Sequence, residues 1–104
     1  MYKIIITTSN QKDILRYISK TLILKNLSRC IHILDNMESF YIWKGNLEIE
    51  NENLLLIKCH ERHVNAIRDL ILEVHNYDNP EIISCNFDII SSKYKNWFNK
   101  NIDS

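Results

Sequence analysis

The chain has 104 residues, of which 45% are hydrophobic and 25% charged, and this composition is that of an ordinary globular domain. Lys and Arg total 13 and Asp and Glu total 13, so the chain lacks the basic excess with which nucleic-acid-binding proteins neutralise phosphates. Its apolar runs, such as residues 54–57, are far too short to span a bilayer. We therefore expect a single domain over residues 1–104, with neither a nucleic-acid nor a membrane partner.

Periodic apolar patterns divide the chain into strands and helices. The first strand is β-branched and almost continuously apolar, which is typical of a central strand. The single glycine, Gly45, lies in a turn between two long strands, and the single proline, Pro80, opens the last strand. In chain order the predicted elements are strand 2–8, helix 11–25, strand 29–35 extended or resumed at 40–43, strand 47–59, helix 62–75, strand 80–87 and a short C-terminal helix from 91 or 92.

The order β-α-β-β-α-β, followed by a helix, predicts a ferredoxin-like α+β sandwich with a long central hairpin and an extra C-terminal helix. Right-handed crossovers place both long helices on the same face of the sheet. Only the short last helix remains to cover the other face, although residues 4–6 and 54–57 are apolar on both faces. An apolar sheet face of this size predicts a subunit interface.

Three cysteines, Cys30, Cys59 and Cys85, lie far apart in the sequence and form no CxxC pair. An odd number of widely separated cysteines favours reduced thiols over a disulfide framework. The N-terminal segment leads directly into a strand-like run and has no signal-peptide pattern. These features together predict a cytoplasmic protein.

Several motifs, in the correct order and over nearly the whole chain, resemble the CutA family of divalent-cation tolerance proteins. They are the segment 4–8, Cys30, the segment 41–45, Glu50, Ile57 with Lys58, His75, Tyr77, the segment 80–82, and Tyr94 with Trp97. The resemblance implies a cytoplasmic homotrimer of ferredoxin-like subunits that is linked to copper and other divalent metals and has no established catalytic reaction. It also implies a trimeric architecture similar to that of the PII signalling proteins.

The resemblance further implies that Cys30 and His75 bind the metal, since thiolate and imidazole suit copper or zinc. Some family members carry a Cys in the first strand where this chain has Thr7, so one soft ligand is missing here. We therefore expect copper or another divalent cation to bind weakly, and the fold to be independent of metal. The residues alone leave two alternatives open, in which Cys30 is a small buried apolar side chain and His75 caps a helix end.

A second grouping of possible metal ligands is Cys59, His60 and His63, between a strand and a helix. Its spacing is not that of an established zinc motif, which favours surface histidines at a helix start.

Three glutamates, Glu48, Glu50 and Glu52, alternate along one strand and so share a face. We interpret Glu48 and Glu52 as solvated. A lysine on so apolar a strand needs a partner, and we expect Lys58 to be buried beside Glu50 or Glu81.

Aromatic residues near chain reversals predict interface packing with a small inter-subunit cleft as a by-product. The residues expected to line this cleft are Trp43, Glu50, Lys58, Tyr77, Glu81, Tyr94 and Trp97. A PII-like module that senses a small anionic metabolite in the cleft is the alternative function. The chain has no catalytic motif and no Gly-rich phosphate loop, so we expect neither an enzyme nor an organic cofactor.

Overall fold

The computed structural model describes residues 1–100 and confirms the α+β architecture; residues 101–104 of the predicted domain lie outside the described residues. The elements are β1 (Tyr2–Ser9), α1 (Lys12–Leu24), β2 (Cys30–Trp43), β3 (Asn46–His60), a 3-10 turn (Glu61–His63), α2 (Val64–Val74), β4 (Ile83–Phe87) and α3 (Ser92–Asn99). The strands form one antiparallel sheet in the order β2-β3-β1-β4. Within residues 1–100, no helix combines the length and the apolar character needed to cross a membrane.

The main hydrophobic core lies between α1, α2 and one face of the sheet. Both helices turn an apolar stripe inward, with buried residues at intervals of three or four. The buried residues of this core are Ile5, Leu15, Ile18, Leu22, Leu55, Ile57, Cys59, Ile67 and Ile71. Because both helices contribute to one core, they cover the same face, as the handedness of the crossovers predicts.

Helix α3 covers one end of the opposite face and forms a smaller aromatic core there. Phe98 is only 2% exposed, and its ring centroid lies 5.5 Å from Tyr2, 5.8 Å from His60 and 6.2 Å from Phe87. The strand register aligns these three partners, since Tyr2 lies opposite both His60 and Phe87. The last helix is therefore anchored across three strands.

A β-bulge divides the hairpin of β2 and β3. Leu34 pairs with Leu54 and Met37 with Glu52, so two residues of β2 oppose one residue of β3. Asn36 occupies the bulge with φ of 58°, a left-handed conformation that Asn adopts more readily than most residues. The two segments predicted on either side of this point are thus one continuous strand with an extra residue.

Beyond the bulge, residues 37–52 form a two-stranded arm, because β1 ends opposite Asn53 and supplies no third strand. The chain reverses at Lys44 and Gly45, whose φ angles are 50° and 81°. Six large apolar side chains of the arm are between 40% and 66% exposed, and they are Phe40, Tyr41, Ile42, Trp43, Leu47 and Ile49. The arm makes the molecule elongated, with principal extents of 50 × 27 × 22 Å.

Strand β4 begins at Ile83 and not at Pro80, where the sequence predicted it. Pro80 has no amide hydrogen to donate to a neighbouring strand. Next to this part of the chain, the carbonyl of Thr8 in β1 already accepts a hydrogen bond from the side chain of His75. Pairing between β1 and β4 therefore starts only at Ile6 and Ile83.

We predict that Ile57→Ala lowers the free energy of unfolding by about 2–5 kcal/mol, because it opens a cavity in the main core. The control is Leu72→Ala on α2, where the native side chain is 54% exposed. The control should change stability by less than about 0.5 kcal/mol. Urea unfolding followed by circular dichroism measures both values, and equal losses would contradict the assigned core.

Candidate metal and ligand site

Of the two residues that the resemblance implies as metal ligands, Cys30 lies on the sheet face opposite α1 and α2. We call the part of this face beyond the aromatic core around Phe98 the open face. Two cross-strand rows define it, and they are Cys30, Lys58, Ile4 and Cys85 in one row and His32, Leu56, Ile6 and Ile83 in the next. The row of Cys30 lies nearer to α3.

Cys30 and His32 form a contacting pair of metal-binding side chains. They are two residues apart on the edge strand β2, so their side chains leave the same face. The Sγ atom of Cys30 lies 3.6 Å from Nε2 of His32. Thiol and imidazole both bind copper and zinc. Within the described part of the chain, however, no group of three or more His, Cys, Asp or Glu residues is placed to hold a metal ion.

Lys58 contacts Tyr94 of α3 and forms no ion pair with Glu50 or Glu81 of its own chain. A pair with either glutamate of a neighbouring subunit stays a prediction. The Nζ atom of Lys58 donates to Oη of Tyr94 at 3.4 Å and lies 5.4 Å from its ring centroid. The ion pairs formed among residues 1–100 involve neither glutamate. Glu50 lies beyond the bulge, about 26 Å from Lys58 along the strand, and Glu81 is exposed before β4 begins.

The hydroxyl of Tyr94 connects Lys58 with the thiol of Cys30. Burial raises the pKa of Tyr94, a hydrogen bond with Cys30 raises it further, and Lys58 acts in the opposite direction. Helix α3 therefore places a phenol beside the Cys30 and His32 pair, in a polar group that the single sequence did not reveal.

His75 lies near the other end of β1. Its Nδ1 accepts a hydrogen bond from the backbone amide of Tyr77 at 3.0 Å, so Nε2 carries the proton that is donated to the Thr8 carbonyl at 2.8 Å. Thr8 is four residues from Ile4, the β1 member of the Cys30 row, which corresponds to about 13 Å along the strand. One chain thus does not bring Cys30 and His75 together, and their joint role as ligands stays a prediction.

Two further positions are poorly suited to metal binding. Thr7 is fully buried, and its Oγ1 has no hydrogen-bond partner among residues 1–100. Cys59 is buried in the main core, where burial raises its thiol pKa to about 11 and keeps it protonated at neutral pH. His60 lies on the opposite face against Phe98, so Cys59, His60 and His63 do not form a common ligand set.

A polar cluster at the base of the arm was missed by the sequence analysis. Glu52 is only 8% exposed, and its Oε2 accepts a hydrogen bond from Oη of Tyr77 at 2.7 Å. The same Oη accepts a hydrogen bond from the backbone amide of Asn10 at 2.9 Å. Ser9 Oγ donates to Asn76 Oδ1 at 2.6 Å, and Asn76 Nδ2 donates to Asn10 Oδ1 at 2.8 Å.

The interpretation of Glu52 as solvated is therefore wrong. On β3 the side chains of Glu48, Glu50 and Glu52 share a face, and this is the less exposed side of the strand in the arm. The contact with Tyr77, 25 residues further along the chain, completes the burial of Glu52. Burial raises the pKa of Tyr77 well above its ordinary value of 10, and the hydrogen bond to Glu52 raises it further. The phenol thus stays protonated and donates to the buried carboxylate.

The residues expected to line one cleft fall into three regions of a single chain. Trp43 lies at the tip of the arm, where the Lys44 ammonium is 5.7 Å from its ring centroid. Tyr77 lies at the arm base. Tyr94 and Trp97 lie on α3 with ring centroids 5.4 Å apart. A cleft that contained all of these residues would need side chains from more than one subunit.

Comparison with known proteins places this architecture among divalent-cation tolerance proteins. The chain is 29% identical over 94 residues to "Protein CutA 1, chloroplastic" of Oryza sativa subsp. japonica, which covers 90% of this chain and 53% of that protein. It is 26% identical over 101 residues to the "Divalent-cation tolerance protein CutA" of Thermus thermophilus, covering 97% of this chain and 98% of that protein. It thus spans about half the length of the plant relative and nearly all of the bacterial one.

A solved structure shows the same fold. The crystal structure of CutA from Xylella fastidiosa superposes with a TM-score of 0.87 at 31% sequence identity, over 94% of both chains. Together with the sheet order and the position of α3, this defines an α+β protein of the ferredoxin-like class with an extended hairpin arm. The chain belongs to the CutA1 divalent ion tolerance family, whose sequence model matches residues 3–101.

We predict that Tyr77→Phe lowers the free energy of unfolding at pH 7 by about 1–3 kcal/mol, because the buried Glu52 carboxylate loses its hydrogen bond. The matched control is Tyr17→Phe, at a tyrosine that is 54% exposed on α1. The control should unfold like the parent.

The raised pKa of Tyr77 also gives this prediction a pH dependence. In the unfolded chain the phenol loses its proton near its ordinary pKa of 10, whereas the folded chain retains it to higher pH. The stabilisation by Tyr77 is therefore complete below pH 10 and is lost as the pH rises further. Denaturant titrations from about pH 7 to about pH 11 should show the parent and Tyr77→Phe converging at the alkaline end, and a constant difference would contradict the assignment.

Proposed function

We propose that this chain is a homotrimeric cytoplasmic protein of divalent-cation tolerance, which binds copper or another divalent cation weakly and without catalysis. Membership of the CutA1 family supports the link to divalent cations. The observation that carries the copper proposal is the contact between Cys30 Sγ and His32 Nε2 on the open face. These soft and borderline ligands suit copper, and a site with so few protein ligands should be labile.

Exposed apolar surface supports the proposed self-association. On the open face Ile83 is 53% exposed and Leu34 is 52% exposed, and the arm exposes still larger side chains. Monomeric proteins rarely leave so much contiguous apolar surface in water. The family resemblance supplies the number of subunits, and the arm supplies two unpaired strand edges for contact with a neighbour.

Free thiols support the proposed location. Cys85 is exposed and Cys30 is half-buried, and all three cysteines are free. Exposed thiols persist in the reducing cytoplasm more readily than in an oxidising compartment. The alternative of an anion sensor centred on Lys58 has less support, because Tyr94 covers the ammonium group.

We predict that Cys30→Ser and His32→Gln each weaken copper binding by at least about tenfold, since each removes one of few protein ligands. The matched control is His63→Gln, on a histidine of the 3-10 turn. Isothermal titration of the reduced protein measures the affinities. His75→Gln separates the two candidate sites: if it weakens binding as much as Cys30→Ser does while His32→Gln has no effect, the site implied by the family is correct and the Cys30 and His32 pair is not.

A chelator should leave the protein folded, because the fold rests on an apolar core between α1, α2 and the sheet. Circular dichroism and sedimentation in excess EDTA test this expectation. Loss of helix signal or of assembly on chelation would show that metal is part of the fold.

We predict that Leu56→Asp dissociates the assembly, because it places an unpaired charge in the proposed interface on the open face. Leu55→Asp is unsuitable as a test, since Leu55 is fully buried in the main core and its replacement would unfold the chain. The control is Leu72→Asp on the exposed side of α2. Sedimentation equilibrium should give a trimer for the parent and the control and a smaller species for Leu56→Asp, whereas a monomeric parent would refute the proposal.

A further inference from the structure

A cavity of about 410 Å³ lies at the end of the domain remote from the arm. It is bounded by the C-terminal end of α1, the start of β2, the 3-10 turn before α2 and the C-terminal end of α3. Apolar side chains of Leu27, Cys59 and Phe98 contribute to its wall. Its volume falls in the range of about 300–1,000 Å³ that is typical of small-molecule sites.

The charged residues that line the cavity all carry the same sign. Lys25, Arg29, Arg62 and Lys100 line it, and no Asp or Glu does so among the described residues. The whole chain has equal numbers of basic and acidic residues, 13 of each, so this clustering is not a consequence of composition. A concave surface with charges of one sign concentrates ions of the opposite sign.

These cations have no carboxylate partner among residues 1–100, where the ion pairs are Lys12 with Asp35 and Arg68 with Asp69. Arg29 is held in place, because Nη2 donates to the Trp97 carbonyl at 3.1 Å and the guanidinium lies 4.5 Å from the Trp97 ring centroid.

Arg29 also retains an unused donor. Its Nε is buried and has no hydrogen-bond partner among the described residues. Buried donors without partners are rare in folded proteins, and such a donor commonly bonds to an ion or a water molecule. Nε itself is enclosed by protein atoms, so what the Arg29 guanidinium supplies to the cavity wall is a fixed positive charge.

The histidines at the cavity respond to the same positive field. Burial lowers the pKa of His60 and of His63, and the charge of Arg62 lowers both further. An anion in the cavity would offset this repulsion and at the same time accept hydrogen bonds from the exposed Lys25 and Arg62 side chains.

We infer that this cavity binds a small anion with two or more negative charges carried by phosphate or carboxylate groups. Guanidinium groups such as that of Arg62 bind both groups through paired hydrogen bonds, and lysine ammonium groups add charge without a fixed geometry. The apolar wall accommodates the uncharged part of an organic anion. The inference is independent of the proposed copper site, since neither Cys30 nor His32 lines the cavity.

The test is a titration of the full chain with inorganic pyrophosphate, in low-salt buffer with EDTA, followed by calorimetry. Arg62→Gln and Lys25→Gln change exposed residues at the cavity, so the fold should persist, as circular dichroism will verify. The matched control is the double variant Lys93→Gln with Lys95→Gln, which removes the same two charges from exposed residues of α3 that do not line the cavity. The double variant Arg62→Gln with Lys25→Gln should lose at least about tenfold in affinity, and the control should bind like the parent.

A parallel titration with citrate distinguishes the two kinds of anionic group. Preferential binding of pyrophosphate assigns the cavity to phosphates, preferential binding of citrate assigns it to polycarboxylates, and equal binding assigns it to small polyanions in general. Absence of binding by the parent overturns the inference. Equal weakening in the cavity double variant and in the Lys93→Gln with Lys95→Gln control also overturns it, because the attraction would then come from overall charge and not from the cavity.

Discussion

The structure depends on a constraint imposed by two right-handed crossovers, which place α1 and α2 on one face of an apolar sheet and leave the other face without either helix. Side chains alternate across β1 and β3, so Ile5 and Ile57 enter the main core while Ile4 and Leu56 point to the other face. Burying apolar area is favourable by about 25 cal/mol per Å². The second face is therefore a large source of stabilisation that one chain leaves mostly unused.

Helix α3 relieves this constraint at only one end of the sheet. Phe98 closes the space above Tyr2 and Phe87, and Tyr94 extends the cover as far as Lys58. The helix has eight residues, which corresponds to about 12 Å, so it cannot reach the rows further along the strands. The open face and the exposed arm are thus two consequences of the same shortage of covering elements.

The sequence predicted the features that local patterns determine. Apolar periodicity located both long helices and all strands, and the lone Gly45 located the hairpin turn, where φ is positive. The features that it missed depend on contacts distant in sequence. Lys58 and Tyr94 are 36 residues apart, and Glu52 and Tyr77 are 25 residues apart.

The errors have specific physical causes. The contact with Tyr77 buries Glu52, and a pairing across 25 residues has no local signal in the sequence. His32 could have been found from its spacing, because residues two apart on a strand share a face and Cys30 was already a candidate ligand. His75 is held by the carbonyl of Thr8 and the amide of Tyr77, and the contact with Thr8 across 67 residues has no local signal in the sequence.

Zero net charge argues against a nucleic-acid partner but not against a small charged ligand, because the charges are separated along the molecule. The arm contains Glu38, Glu48, Glu50 and Glu52 with Lys44 as its only cation, whereas the cavity near α3 is lined by cations alone among the charged residues described. Screening at physiological salt acts over about 8 Å, which is short compared with the 50 Å length of the molecule. A small ligand at one end is therefore affected by the local charge and not by the total. Nucleic acid differs because it needs basic residues along an extended surface, and the acidic arm interrupts any such surface.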